Sequence, residues 1–233
     1  MKNTLKTSAI LLAGGIGSRI TSHLPKQFMP LLDKPIVHYS LNIFLSLDEI
    51  AEIIIVTHPN YHVFFQSLVE KASKPIKFAL PGNRRQDSVY NGLQQVAKDS
   101  SFVCTHDAAR PFIQKNDVQN LLQEGYVHKS ATLAVPLKFT IKQADTTGLA
   151  THTPNRDMFF EIQTPQIVDK KILEQGFSFA FDNNLNVTDD VSLAELLKHP
   201  TKLVPGRHSN IKITTNEDLM LAPHLLQQTT LHA

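Results

Sequence analysis

Short, mostly apolar runs at Ala9 to Leu12, Ile53 to Val56, Ile76 to Leu80, Phe102 to Thr105 and Thr132 to Val135 alternate with segments whose apolar residues recur at helical spacing. Val37, Leu41, Phe44 and Leu45 form one such stripe, Val89, Leu93, Val96 and Ala97 a second, and Val118, Leu121 and Leu122 a third. Each suits a helix with one face packed on a sheet. Strand and helix in alternation predict an α/β protein with a mainly parallel, Rossmann-like sheet flanked by helices. Parallel sheets are covered on both faces, and their ligands sit beyond the carboxyl ends of the strands. Chemistry is therefore expected where strands end.

The first run ends in Gly14-Gly15-Ile16-Gly17-Ser18-Arg19, followed by Pro25-Lys26-Gln27. Glycines let backbone N–H groups close around phosphate oxygens, and Arg19 and Lys26 supply the charge that a triphosphate needs neutralised. A dinucleotide fingerprint would put a glycine where Ile20 stands and an acidic residue at the end of the second strand, which instead ends in Thr57-His58. The P-loop of ATPases, closing in Gly-Lys and Ser or Thr, does not follow these glycines either. A redox enzyme and a standard P-loop enzyme are thereby disfavoured.

Composition narrows the class further. With 233 residues, 42% apolar and 19% charged, the chain is long enough to bury a large core, and it reads as one domain over 1–233 without linker, repeat or appended domain. No apolar run approaches the ~20 residues of a membrane helix, and no signal peptide is evident. Cys104 is the sole cysteine, which fits a reducing cytoplasm. A net charge of +2, no Trp and 4 Tyr leave no electrostatic or stacking surface for nucleic acid.

Chemistry-bearing residues gather at the predicted strand ends. Asp107 in His106-Asp107-Ala108-Ala109-Arg110 follows a strand and can hold Mg²⁺ through oxygen, with Arg110 nearby for a polyanion; His106 is read as structural. Gly82-Asn83-Arg84-Arg85-Gln86-Asp87-Ser88 joins a strand to a helix. There Gly82 allows close approach, Asn83 can read a base or ribose, and Asp87 and Ser88 can equally cap the helix. From Lys138 to about Gln163 the alternation lapses into a polar stretch that reads as a hairpin arm. Such an arm is unstable alone and would pack on a second copy of the chain. After it come a helix near Lys170 to Phe179, an acidic turn at Thr188-Asp189-Asp190, a strand at Ile211 to Thr214 and a last helix.

Taken together, LLAGGIGSRI, LPKQF, GNRRQDSV, HDAARPF, LAVPLKFTIK, QTPQ, VTDDVSLAE and NIKITTNEDL resemble, in order and spacing, the 2-C-methyl-D-erythritol 4-phosphate cytidylyltransferase family nearly end to end. The resemblance implies a nucleotidyltransferase fold, CTP as co-substrate, a divalent cation, and a homodimer formed through the arm at 138–163. It places Ala13, Gly14, Gly15, Gly17, Lys26, Gly82, Asn83, Arg85, Ser88 and Ala108 around CTP and gives Arg19 and Lys26 transition-state roles. Asp107 would carry Mg²⁺, Arg110, Thr140, Thr164 and Thr188 would contact the sugar phosphate, and Arg156 and Lys212 would aim its phosphate. Thr140 and Arg156, on the arm, would serve the neighbouring subunit's site. The sequence departs from the family pattern at Leu12-Ala13-Gly14-Gly15 and at Phe139, and Pro154-Asn155-Arg156 is similar to ribitol-5-phosphate cytidylyltransferases, the alternative reading. A non-catalytic nucleotide-binding module is the alternative of another class. It is disfavoured because Arg19, Lys26 and Asp107 are all present.

Overall fold

The computed structural model describes residues 5–15 and 24–231. Its strands are β1 Thr7–Leu12, β2 Pro30–Leu31, β3 Lys34–Pro35, β4 Ile50–Val56, β5 Ile76–Ala79, β6 Phe102–Asp107, β7 Ser130–Pro136, β8 Gln143–Ala144, β9 Ala150–His152, β10 Phe160–Asp169 and β11 Lys202–Pro205. The helices are α1 Ile36–Leu45, α2 His62–Val69, α3 Arg85–Leu93, α4 Lys115–His128, α5 Lys170–Asp182, α6 Val191–Leu196 and α7 Asn216–Leu231. Seven strands form one sheet in the order β11-β7-β10-β6-β1-β4-β5. All run parallel except β10, which is antiparallel to both β6 and β7.

The pleat explains why the central strands read as continuous apolar runs. Ala9 and Leu11 of β1, with Ile53 and Ile55 of β4 and Cys104 of β6, face one layer of core with Leu41, Phe44 and Phe65 from α1 and α2. Ile10, Ile54, Val56 and Val103 face the opposite layer with Val89 of α3, Leu173 and Phe177 of α5, and Leu193 of α6. A strand buried on both faces has no polar side to alternate with. A smaller cluster of Leu31, Ile36, Phe112, Ile213 and Ala222 docks α7 beside the β2–β3 hairpin.

Two expectations change. Ile211 to Thr214 is not a strand: Ile213 gives its N–H to the Ala109 carbonyl (2.8 Å) and Thr214 gives its own to the Asp218 carboxylate (2.7 Å) at the start of α7. These backbone groups are satisfied by a turn and a helix cap, so no ladder forms. The arm is also shorter than 138–163, because Phe160, Glu161 and Ile162 pair with Pro136, Val135 and Ala134 in the main sheet. What extends beyond that pairing is a hairpin of β8 and β9 around a turn in which the Asp145 carboxylate accepts N–H from Thr147 and Leu149. Gly148 there has φ +86°, a conformation costly for any residue with a Cβ.

Candidate active site

The site is assembled at the carboxyl ends of β1 and β6. The two strands are paired so that Leu12 lies opposite Asp107, which sets the start of the glycine loop beside the carboxylate. Ala108 ties the pair by donating its N–H to the Leu12 carbonyl (3.1 Å). Across the cleft, the loop after β5 approaches so closely that a Cβ on Gly14 would sit 2.4 Å from Pro81 Cβ. Glycine is required at that crossing by space alone. The loop's far side is held by Gln27, whose side-chain amide donates to the carbonyls of Ala13 (2.6 Å) and Gly15 (3.0 Å).

A cleft of about 330 Å³ results, lined by Gly14, Gly15, Lys26, Gln27, Gly82, Asn83, Arg84, Arg85, Ser88, Asp107, Lys212 and Thr214 among others. Ser88 accepts the N–H of Gly82 (2.9 Å), so it holds the loop that borders the cleft as well as facing it. Arg84 is exposed and clamped to Asp87 by its guanidinium (Nη2 to Oδ1, 2.7 Å), whereas Arg85 turns inward.

An adjoining cavity of about 210 Å³ is lined by Arg85, Asp107, Arg110, Gln163, Thr164, Gln166, Thr188, Asp189 and Lys212. The two spaces meet at Asp107, Arg85 and Lys212. Asp107 takes Lys212 Nζ on Oδ2 (2.7 Å) and Arg85 Nε on Oδ1 (3.3 Å), with Arg110 Nε 4.0 Å from Oδ2. Burial alone would raise this carboxyl, but Arg85, Lys212 and Arg110 outweigh it and hold Asp107 far below the ordinary carboxylate range. Arg110 Nη1 donates to the Asn210 carbonyl (2.8 Å), and its buried Nε has no hydrogen-bond acceptor among the described residues. Burial pulls the Arg110 guanidinium below its ordinary value. Asp190 grips Arg85 from behind, Oδ1 to Nη1 and Oδ2 to Nη2, both 2.9 Å. Burial pushes the Asp190 carboxyl up, against the pull of Arg85.

Of the residues predicted from sequence, Gly14, Gly15, Lys26, Gly82, Asn83, Arg85, Ser88, Asp107 and Lys212 share the first cleft, and Arg110, Thr164 and Thr188 line the second cavity. Ala13 borders the far side of the glycine loop, and Ala108 is buried behind it. Thr140 and Arg156 are exposed on the arm and line neither space; Arg156 Nη1 donates to the Lys138 carbonyl (3.1 Å). Gly17 and Arg19 lie outside the described residues. Sequence reading assigns no role to Gln27, Gln166 or Asp190, because an isolated amide or carboxylate carries no periodicity that would announce its partner. His106, read as structural, is fully buried between Thr164 Oγ1 (3.0 Å from Nδ1) and the Arg110 carbonyl (3.1 Å from Nε2).

Residues 7–228 match the model of the family described as IspD, 2-C-methyl-D-erythritol 4-phosphate cytidylyltransferase. The chain belongs to this family. The 2-C-methyl-D-erythritol 4-phosphate cytidylyltransferase of Chlamydia pneumoniae is 42% identical over 222 residues, covering 95% of this chain and 100% of that protein. The chloroplastic enzyme of rice is 45% identical over 221 residues, covering 95% of this chain and 74% of the rice protein. Among solved structures, 4-diphosphocytidyl-2C-methyl-D-erythritol synthase from Anaerococcus prevotii superposes with a TM-score of 0.87 at 30% identity, over 96% of this chain and 99% of that one. IspD membership makes the chain an enzyme, a CTP-dependent cytidylyltransferase that forms CDP-methylerythritol from 2-C-methyl-D-erythritol 4-phosphate in isoprenoid biosynthesis. Ribitol phosphate as the acceptor, and a non-catalytic binding module, give way to that assignment.

Among the described residues no helix is long and apolar enough to cross a membrane. No group of three or more His, Cys, Asp or Glu side chains able to hold a metal occurs among them either. Asp107, the carboxylate expected to carry Mg²⁺, has both oxygens facing cations, Oδ1 toward Arg85 Nε and Oδ2 toward Lys212 Nζ.

Proposed function

We propose that CTP occupies the larger cleft and the acceptor phosphate the smaller cavity, so that the acceptor's phosphate oxygen attacks the α-phosphorus of CTP in line and pyrophosphate leaves. The observation that carries this reading is the junction of the two spaces at Asp107, Arg85 and Lys212. The nucleophile is already an anion near neutral pH and needs no general base. The difficulty lies in bringing two polyanions together, so positioning and charge neutralisation do the catalysis. Lys26, with Arg19, meets charge developing at the α-phosphorus and the departing pyrophosphate. Lys212 and Arg110 receive the acceptor phosphate, and the buried Arg110 Nε without an acceptor suits a guanidinium that an anion completes. Backbone N–H groups of the glycine loop and the Gly82 loop orient the nucleotide. Asp107 is the carboxylate that would hold a divalent cation, which when bound supplies neutralisation of phosphate charge.

The arm extends this reading to a second copy of the chain. Phe139 is 71% and Met158 77% exposed, and Leu149, Phe159, Phe160 and Ile162 are also exposed. A two-stranded hairpin is unstable alone, and so much uncovered apolar surface on it, on its flanks and on the adjoining end of β10 suits a partner. In a homodimer the partner subunit's Thr140 and Arg156 complete the acceptor site. The buried Cys104, whose thiol is pushed up by burial, supports a reducing, cytoplasmic setting.

The test is pyrophosphate release from CTP with Mg²⁺, offering methylerythritol 4-phosphate and ribitol 5-phosphate in parallel. Preference for methylerythritol phosphate is expected, and Lys26→Ala should lose about 2–4 kcal/mol of transition-state stabilisation, the scale of one preorganised electrostatic donor. Near-parental turnover in Lys26→Ala would remove that residue from the chemistry.

A further inference from the structure

Asp190 is at the N-terminal boundary of α6, a position where aspartate commonly caps the helix by accepting an amide of the first turn. Here its carboxylate caps nothing. The amides at this end are satisfied by other residues. Gln166 Oε1 accepts the N–H groups of Asp190 (2.7 Å) and Val191 (3.2 Å), and Asp189 Oδ1 accepts that of Ser192 (3.0 Å). The Asp190 side chain, only 3% exposed, instead turns to Arg85 and engages both terminal nitrogens of its guanidinium. Arg85 then presents Nε to Asp107 and lines both cavities. A buried ion pair adds little net stability over an apolar pair of the same volume, so stability alone is a poor reason for this arrangement. What it does supply is geometry. A guanidinium held end-on by one carboxylate cannot rotate its Nε away from the other, and Asp107 Oδ2 is left to face Lys212.

We infer that Asp190 is a positioning residue for cytidylyl transfer, acting through Arg85 to fix the orientation of the Asp107 carboxylate where the two cavities meet. The inference rests on the reading that Asp107 and Lys212 face the reacting phosphates. Gln166, 1% exposed, is the support that frees Asp190 from capping. The pairing is a unit of three side chains from three elements: the turn before α6, the first residue of α3 and the end of β6.

Asp190→Asn keeps the shape and removes the charge, while Arg85→Lys keeps the charge and removes the two-point grip. Both, and the double variant, are assayed with CTP and methylerythritol phosphate at temperatures well below each variant's own melting transition. A merely structural role would lower the melting temperature and leave turnover by folded molecules alone. The expected result is a fall in kcat of about tenfold or more in each single variant, with a smaller change in KM for CTP. The double variant should be no more than about twofold slower than the slower single one, because residues acting as one unit are not additive. Parental kcat in Asp190→Asn, or a double variant whose loss is the product of the two, would overturn the inference. If Asp190→Asn does not fold, Asp190→Glu, which keeps the charge and displaces the carboxylate, decides by the same criterion of kcat. The parent and Lys26→Ala run in parallel. An inactive parent, or Lys26→Ala at parental rate, tells against the reading of the site. An active parent with unaffected Asp190 and Arg85 variants tells against the positioning role only.

Discussion

His106 illustrates how a single buried side chain at the end of β6 ties acid stability to the site. Its Nε2 faces the Arg110 carbonyl, an acceptor only, so that nitrogen carries the proton and Nδ1 must accept from Thr164. Thr164 Oγ1 is free to donate because it receives the Asp107 N–H (3.1 Å). A second ring proton would lose burial in neutral form and oppose the Thr164 hydroxyl, and burial lowers the His106 pKa from 6.5 to about 4. The unfolded chain therefore binds a proton between those values that the folded chain refuses. Stability falls as pH falls through that window, by up to about 3 kcal/mol below pH 4. Above pH 6.5 the group contributes no slope. His106→Gln keeps a donor and an acceptor without titrating, so its urea midpoint should depend less on pH between 6.5 and 4 than the parent's. An unchanged slope would show that His106 is not the source. At this scale sequence found the charged residues, because Asp107, Arg110 and Lys26 stand next to strand ends and glycines, where a bland role is least natural. It could not choose between Arg84 and Arg85 from spacing. Their division of labour depends on Asp87 lying three residues on and Asp190 lying across the fold. Gln27 and Gln166 were invisible because what they satisfy is backbone carbonyl and amide groups of distant loops.

The packing of α4 on β10 shows what holds an element in place. A Cβ added at Gly125 would meet Ile167 Cγ2 at 2.3 Å, and Ile167 is fully buried in a strand paired on both sides. Two effects of Gly125→Ala compete. Replacing a helical glycine by alanine favours the helix by about 1 kcal/mol, while forcing a methyl into a filled core costs about 1–3 kcal/mol. The second dominates because a β-branched isoleucine has little freedom to turn aside. Gly125→Ala should lower the denaturant midpoint and leave kcat of the folded enzyme near parental, since α4 lines neither cavity. Ile167→Ala, which removes the clashing Cγ2, should cost less in the Gly125→Ala background than in the parent, and a midpoint at or above the parent's in Gly125→Ala would show the contact to be slack. The same pair of elements explains what could be read at this scale. The strands β1, β4, β6 and β7 announce themselves as apolar runs because they are largely buried in the sheet, and the edge strand β5 does so through Ile76, Phe78 and Ala79, which pack on the core. The antiparallel β10 does not, since Glu161, Gln163, Thr164 and Gln166 interrupt it to serve the site and the arm. Conversely, Ile211 to Thr214 has the alternation of a strand but spends its N–H groups on a turn carbonyl and a helix cap, information that lies elsewhere in the chain.

At the scale of the whole molecule, the question is whether one chain contains a complete site. Within the chain, Lys26 borders the nucleotide cleft while Arg156 stands on the exposed arm, outside both cavities. In the proposed homodimer each site joins Lys26 of one subunit to the partner subunit's Arg156. That arrangement has a consequence that a site built in one chain cannot mimic. Lys26→Ala and Arg156→Ala should each be nearly inactive alone. Denatured together in equal amounts and refolded, or co-expressed with separate tags, they form mixed dimers in which both lesions fall in one site and the other is intact. Random pairing of a two-fold dimer makes half of the dimers mixed, with one intact site of two, so activity should recover to about a quarter of the parent's. If Arg156 instead acted within its own chain, every mixed dimer would carry one lesion in each site and activity would stay at the level of the singles. The exposed Phe139 and Met158 supply the matching control. Changing both to Ser should weaken dimerisation, seen by sedimentation, and lower activity in proportion to the monomer formed. Loss of dimer with parental activity would show that the arm assembles the protein without completing its site.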